Sequence, residues 1–314
     1  MALDPPTPLR RRVSAYLTLL TTMLIFSVAA PFAWRVHWFA ELPAHFPSQV
    51  IAAAVFLIAI AALLRRYLVC LINSLVLIAA SSTLLSATVA DPHVGAGLEL
   101  RTQNLLGSIA NPQAAAARLQ LAEADVAVFQ EYTPAWHAAL APLRTALPNQ
   151  IVVPRAGSFG IALYTRLPVL ESRQLSLGED ETTAIAARFS TEHFSGWIVA
   201  VHLLPPMNGQ WTQDRRRQLG DLTSWAESVE EPVVFVGDFN DTPSSPTLRQ
   251  FLDAGELKLA PPRWLPTWPA RLGAAGIGID LAIGTSEIRF GARRRLATMG
   301  SDHAGFAVVV ATND

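Results

Sequence analysis

Asp238 and Asn240 stand two residues apart in Gly237-Asp238-Phe239-Asn240-Asp241, directly after the apolar run Val233-Val234-Phe235-Val236. Such a run reads as a buried strand, and the polar residues that follow end it. Alternation along an extended chain puts Asp238 and Asn240 on one side and Phe239 on the other. A carboxylate held beside an amide suits a water nucleophile and a phosphoryl oxygen. Farther along, Gly300-Ser301-Asp302-His303 leads into another apolar strand over 305–310, so His303 stands at a strand start beside a second carboxylate. Gly, Asp and Asn are also ordinary turn residues, so either stretch alone is equally a turn.

Other strands end in the same way. Residues 98–102 read as a strand that delivers Asn104, and 125–129 as one that delivers Gln130 and Glu131. Residues 197–201 deliver His202. Asp280 lies inside the apolar strand 278–283, where an unpaired charge is costly. In this order, TQN (102–104), DVAVFQE (125–131), VHL (201–203), GDFND (237–241), Asp280 and SDH (301–303) resemble the endonuclease/exonuclease/phosphatase superfamily. The resemblance covers residues 97–312. It implies a DNase I-like, four-layer α-β-β-α sandwich, with two packed mixed sheets between helices and the site at one sheet edge.

The same resemblance implies phosphoester hydrolysis. The transition state of that reaction carries negative charge on several oxygens, so positioning and electrostatics do most of the work. A hard divalent cation held by carboxylate and amide oxygens is the natural device. Mg²⁺ is the expected ion and Mn²⁺ the alternative. Glu131 is the foremost expected ligand, with Asn104 beside it and Asp302 completing the shell. Asp238 is expected to orient or deprotonate the attacking water, and Asn240 to hold that water or a phosphoryl oxygen. His303 is expected to bond the phosphoryl group or act as an acid, with Asp280 fixing its ring. His202 is expected to donate to a non-bridging oxygen. Leu281 follows Asp280 where many relatives carry His or Tyr, and Thr165 stands where Ser is common. Both departures loosen any tie to the abasic-endonuclease branch.

Tyr164 reads as packing, and His137 and His193 as surface residues. Residues 215–217 and 293–295, each an arginine triplet, read as solvated faces. A helix is expected over 112–123 with Asn111 as its cap, and another over 211–227 with Leu219, Leu222 and Trp225 as its apolar stripe.

Composition divides the chain. Of 314 residues 51% are hydrophobic, and the excess lies in 13–90, whose only charges are Arg35, Glu41, Arg65 and Arg66. Residues 1–90 carry six Arg and two acids, whereas 91–314 carry 18 basic residues and 23 acids. A protein that grips a duplex shows a basic footprint, which the second part lacks as a total. Cys70 is the only cysteine, so an intrachain disulfide or a cysteine zinc cluster is excluded.

The expected organisation is a cytoplasmic tail (1–12), a membrane module (13–90), a linker (91–96) and a catalytic domain (97–314). Three spans are expected, at 13–34, 46–64 and 67–90, the last two forming a hairpin around Arg65-Arg66. Asn73 reads as a packed interhelical residue. With Arg10–Arg12 and Arg65-Arg66 both cytoplasmic, an odd number of spans puts the catalytic domain outside. Trp34, Trp38 and Phe39 suit the interfacial belt.

This layout is similar to that of membrane-bound teicoplanin-resistance proteins of the superfamily. That resemblance implies a multi-pass plasma-membrane hydrolase acting on a lipid-linked phosphate or pyrophosphate. Its partners are then the lipid bilayer and a phosphorylated substrate; no protein partner is evident. Trp264 and Trp268, in a proline-rich loop, could dip into the interface or shape a lipid pocket. The alternatives are an anchored nuclease acting outside the cell and a membrane scaffold with a retired site. A C-terminal reporter fusion separates the topologies: three spans give a signal outside the cytoplasm, and a signal confined to the cytoplasm means that one run does not cross.

Overall fold

The computed structural model describes residues 8–92, 95–119, 121, 123–179 and 182–312. The first part of the expected tail (1–7) and residues 93–94 of the expected linker lie outside the described residues. The chain divides into two compact units, the first Met1–Ser86 with Ser244–Pro246 and the second the remainder from Ala87.

Among the described residues, the first unit holds three apolar helices, α1 (Pro8–Ala29), α2 (Pro47–Leu63) and α3 (Tyr67–Leu85). On α2, Val50, Ala54, Leu57 and Ala61 are buried, a spacing of three to four residues that lines one helical face. Val50 and Ala54 cluster with Val76 and Ala80 of α3, and small residues of this kind let helix backbones approach closely. Arg65 takes a left-handed φ of 56°, and Arg66 N–H reaches back to the Ala61 carbonyl at 2.8 Å, which closes the α2–α3 hairpin. Asn73 is fully buried, and its Nδ2 donates to Thr21 Oγ1 at 3.0 Å, tying α3 to α1 as the interhelical reading expects. Leu19, Met23, Phe26, Leu71, Leu75 and Ile78 face outward, exposed.

By length and composition, Arg11–Ala33 and Tyr67–Leu85 suffice to cross a membrane. Pro47–Leu63 joins them only if counted with the turn segment Trp38–His45, from which it bends by 69°. The boundaries differ from expectation in two places. Helix α1 begins at Pro8, inside the expected tail, and α3 stops at Leu85. Residues 87–90, expected in the third span, instead pair with a strand of the second unit. Ala90 N–H donates to the Leu259 carbonyl and Leu259 N–H to that of Thr88.

Among the described residues, the second unit is built on thirteen strands. In chain order they are β1 (Leu98–Asn104), β2 (Val126–Gln130), β3 (Asn149–Val153), β4 (Ile161–Thr165), β5 (Glu171–Leu177), β6 (Thr182–Ser190) and β7 (Ser195–His202). Then come β8 (Val233–Asp238), β9 (Lys258–Leu259), β10 (Asp280–Gly284), β11 (Ile288–Phe290), β12 (Arg294–Arg295) and β13 (Phe306–Thr312). One sheet runs β11-β13-β1-β2-β4-β3, with β12 also on β13, and the other β5-β6-β7-β8-β10-β9. Among the described residues, four helices accompany them: α4 (Pro112–Ala116), α5 (Pro134–Ala139), α6 (Gly209–Glu227) and α7 (Pro246–Ala254).

Period-two burial sets the layers. Val126 and Val128 point between the sheets and pack with Ile185, Ile198, Val234 and Val236. Ala127 and Phe129, alternate to them, pack outward against Ala115, Trp136 and Leu140 of the α4–α5 side. On the other sheet Val199, Phe235 and Phe239 pack outward against Leu219, Leu222, Leu248 and Phe251 of α6 and α7. Helices, sheet, sheet and helices form the expected four-layer sandwich. Because both sheets are covered on both faces, their central strands read as unbroken apolar runs.

Helix α4 closes at Ala116 rather than running to 123, and residues 120 and 122 lie outside the described residues. Its cap is as expected, with Asn111 Oδ1 accepting from Ala114 N–H at 3.0 Å. Helix α6 starts at Gly209, where Asn208 caps Trp211 N–H at 2.9 Å. Within each sheet one pair is parallel: β1 with β2, Asn104 opposite Gln130, and β7 with β8, His202 opposite Asp238. Gly237 lies on this parallel seam with φ 140°, and a Cβ there would collide with the Val201 carbonyl oxygen. Gly237→Ala is therefore expected to cost more than about 3 kcal/mol, read as a loss of thermal midpoint against wild type.

Candidate active site

The polar strand ends meet at one edge of the sandwich. Strands β1 and β2 of one sheet and β7 and β8 of the other bring Asn104, Gln130, His202 and Asp238 to their carboxyl ends. Strand β10 runs antiparallel to β8 with Asp280 opposite Asp238. Cross-strand partners share a face, so two buried carboxylates confront each other, an arrangement that like charges disfavour. His303, from the loop before β13, enters between them.

His303 Nδ1 lies 2.9 Å from Asp280 Oδ2, and Nε2 lies 3.7 Å from Asp238 Oδ2. Burial alone would lower the His303 pKa. The charges of Asp280 and Asp238 and the hydrogen bond outweigh it and push the pKa up to about 10. At neutral pH the ring is an imidazolium bridging two carboxylates. Burial pushes the Asp238 carboxyl above its usual range, opposed by the His303 charge and reinforced by Asp280.

Asp238 Oδ2 is the focus of the site. Asn104 Nδ2 donates to it at 3.0 Å, and His202 Nε2 lies at 3.7 Å. Asp238 Oδ1 accepts from Asn240 N–H at 2.8 Å. Asn240 Nδ2 donates to the Leu203 carbonyl at 2.8 Å, which fixes the amide's orientation and leaves Oδ1 as its remaining side-chain polar atom. Phe239 turns away into the core, as alternation requires.

Glu131 sits beyond the end of β2. Its Oε2 accepts from Gly107 N–H at 2.7 Å, while Oε1 receives only a 3.4 Å contact from Asn104 Nδ2. Asn104, Glu131 and Asp238 thus adjoin one another. Asp302 is exposed, and its Oδ2 accepts from Trp268 Nε1 at 3.0 Å. It reaches His303 through charge alone, as one of the carboxylates that raise the ring's pKa. Two non-glycine site residues hold left-handed backbone, Glu131 at φ 54° and Asn240 at 48°. Strain of this kind persists only where the surroundings enforce it.

Ligand atoms of Asp238, Asp280 and His303 lie within 4.8 Å of one another, close enough to hold an ion. A metal-bound histidine must be neutral, so an ion there would have to displace the proton that Asp280 and Asp238 favour on this ring. The Glu131–Asn104 side fits a hard divalent cation better. There the half-satisfied Glu131 carboxylate supplies the oxygens, while Asn104 turns Nδ2 toward it and its Oδ1 accepts from Leu106 N–H at 3.1 Å. Asp280 Oδ1 and His202 Nδ1 are buried without a hydrogen-bond partner among the described residues. Both orphans suit a site that completes its bonding with substrate or solvent.

Several supporting residues escaped the sequence reading. Gln103 Nε2 donates to the His303 carbonyl at 3.2 Å and its Oε1 accepts from Gly305 N–H at 2.9 Å. Ser301 Oγ donates to the Asn104 carbonyl at 2.8 Å and accepts from His303 N–H at 3.1 Å. Together they fasten the His303 loop to the end of β1. Arg215 and Arg293, expected on solvated faces, are buried. Arg293 donates to the carbonyls of Ala260, Pro262 and Asp280, and burial lowers its pKa to about 10 against the pull of Asp280. Arg294 and Arg295 are exposed, as expected. Tyr164 is packing, but His137 is only half exposed and accompanies it: Tyr132 Oη lies 2.6 Å from Tyr164 Oη and 2.9 Å from His137 Nδ1.

A four-layer sandwich with carboxylates, amides and histidines gathered at strand ends defines a DNase I-like hydrolase. The profile of the Endonuclease/Exonuclease/phosphatase family matches residues 102–303, and the chain belongs to that family. Its members are phosphoesterases. No curated protein sequence matches. The catalytic domain of human Nocturnin with bound sulfate superposes with a TM-score of 0.57 at 16% identity, covering 74% of this chain and 99% of that one. Sphingomyelinase C from Streptomyces griseocarneus gives 0.53 at 17%, covering 70% and 100%. A Staphylococcus aureus beta toxin variant with bound magnesium ions gives 0.51 at 12%, covering 68% and 99%. At such identities the likeness is one of fold.

The charge balance is directly measurable. In a ¹⁵N-histidine NMR titration of the metal-free protein, His303 is expected to stay protonated through pH 8. Asp280→Asn removes a charge that favours the imidazolium, so it is expected to move the titration down. A wild-type His303 that deprotonates near 6.5 contradicts this site description.

Proposed function

We propose that the chain is a membrane-anchored, metal-dependent phosphoester hydrolase acting outside the cytoplasm on a lipid-linked phosphate or pyrophosphate. The observation that carries the reaction class is the convergence of Asn104, His202 and His303 on Asp238 Oδ2, with Asp280 behind His303. The membrane reading is supported by the apolar helices, whose exposed large side chains suit lipid.

Asp238 is the base. Its raised pKa strengthens it as a proton acceptor from the attacking water. Asn240 turns Oδ1, an acceptor, toward the water it orients, while one N–H of its amide is held by the Leu203 carbonyl. His303 donates to phosphoryl oxygen as charge builds there, and Asp280 holds the ring's orientation and positive charge. His202 donates to a second, non-bridging oxygen. Glu131 and Asn104 would hold Mg²⁺, which supplies Lewis-acid stabilisation of the phosphoryl group when bound. Asp302 could join them once released from Trp268.

The test is phosphate release by purified full-length protein in detergent, across lipid phosphates and pyrophosphates, with plasmid nicking alongside. Activity on a lipid substrate, abolished by EDTA and by Glu131→Gln, is expected. Full activity in EDTA overturns the metal assignment, and activity on the plasmid alone makes the anchored-nuclease alternative the correct one. His303→Ala is expected to lower kcat roughly 10²-fold with KM little changed, because its contact strengthens in the transition state.

A further inference from the structure

Helix α6 turns two fully buried polar side chains toward the site, Arg215 and Gln218. Neither takes part in the hydrolysis described above. One turn apart on the same face, they reach the loops that leave β7 and β8. Arg215 Nη1 donates to the backbone carbonyl of Asn240, and Nη2 lies 3.5 Å from Asp241 Oδ2. Gln218 Oε1 accepts from Leu204 N–H at 3.0 Å, while its Nε2 donates to Thr182 Oγ1 at 3.0 Å. The Leu203 carbonyl next to that anchor receives the Asn240 side-chain amide.

We infer that Arg215 and Gln218 are positioning residues that hold Asn240 from two sides, one through its own carbonyl and Asp241, the other through the shelf on which its amide rests. Asn240 needs such restraint. Its φ of 48° lies in the left-handed region, which asparagine tolerates better than most residues but which an unrestrained loop would exchange for other conformations. The clamp occupies the Asn240 carbonyl, Asp238 occupies its N–H and Leu203 its Nδ2, so Oδ1 is aimed by the sum of three fixed bonds. A buried ion pair adds little net stability over a well-packed apolar pair, so stability alone does not account for Arg215 and Asp241. Lysine cannot replace the fork, since one ammonium does not span the Asn240 carbonyl and the Asp241 carboxylate as a planar guanidinium does.

The inference rests on the reading of Asn240 as the acceptor that orients water, so its test carries an arm independent of activity. The variants are Arg215→Met with Asp241→Leu, which removes both charges at similar volume, Arg215→Lys, and Gln218→Met, all in the full-length protein in detergent. Hydrogen–deuterium exchange is followed over residues 238–242 and over the core strands. Mg²⁺-dependent hydrolysis of bis(4-nitrophenyl) phosphate is followed in parallel. Faster exchange confined to 238–242 is expected, with kcat lowered roughly tenfold or more, KM nearly unchanged, and the Lys variant intermediate. Wild-type exchange and wild-type kcat in the folded variants overturn the inference. If the double variant does not fold, the Lys and Gln218→Met variants decide it by the same two readouts. A wild-type protein that leaves the diester intact counts against the hydrolase reading alone, and the exchange arm then decides the positioning role.

Discussion

Two carboxylates buried opposite each other on neighbouring strands are the constraint from which the rest of the second unit follows. Asp238 and Asp280 face one another across β8 and β10, and both are essentially inaccessible to water. In a low-dielectric interior such a pair demands a cation or a proton between its members. The fold brings in the imidazolium of His303 from the other sheet. The position of the His303 loop then matters to within a hydrogen-bond length. Gln103 and Ser301 set it by fastening that loop to β1, the strand that also carries Asn104. The inter-sheet core and the buried polar cluster are thus parts of one arrangement, since the sheets must pack at the separation that lets the ring reach both acids.

Parallel pairing explains why the remaining groups arrive at the same edge. In each sheet the strand ends from one parallel pair point the same way, so Asn104 lies beside Gln130 and His202 beside Asp238. The antiparallel neighbours β10 and β13 begin where those strands end. Polar groups at such ends face a crevice rather than a sheet interior, the usual position for a ligand on mixed α/β folds. Strain concentrates there too, at Glu131 and Asn240.

Much of this was legible in the chain because burial on both faces makes each central strand an apolar run, and a polar residue at its end then stands out. Asp238, His202, Asn104 and Glu131 were found by that contrast. Pairing was not legible: no local pattern says that Asp280 lies opposite Asp238 or that Gln103 reaches His303. Arg215 is buried although three consecutive arginines suggest a solvated face. The signal was nevertheless present, since Arg215 precedes Leu219 by four residues and Leu222 by seven, which is the buried stripe of α6. Alanine-rich sequence favours helix locally over 112–123, whereas the chain tightens after Ala116, with Arg118 N–H on the Ala115 carbonyl and Leu119 N–H on that of Ala116. Apolar content carried the third span to residue 90, yet those last residues pair with β9.

The claim that His303 neutralises a confronted pair of acids is tested most directly by a double-mutant cycle on thermal stability at neutral pH. The members are wild type, His303→Gln, Asp280→Asn and the combination. Removing the histidine alone leaves two facing carboxylates, so His303→Gln is expected to lower the midpoint most. Adding Asp280→Asn to it should restore part of the loss, a coupling expected between groups in contact. Strictly additive losses, with the double variant less stable than His303→Gln, would contradict the account.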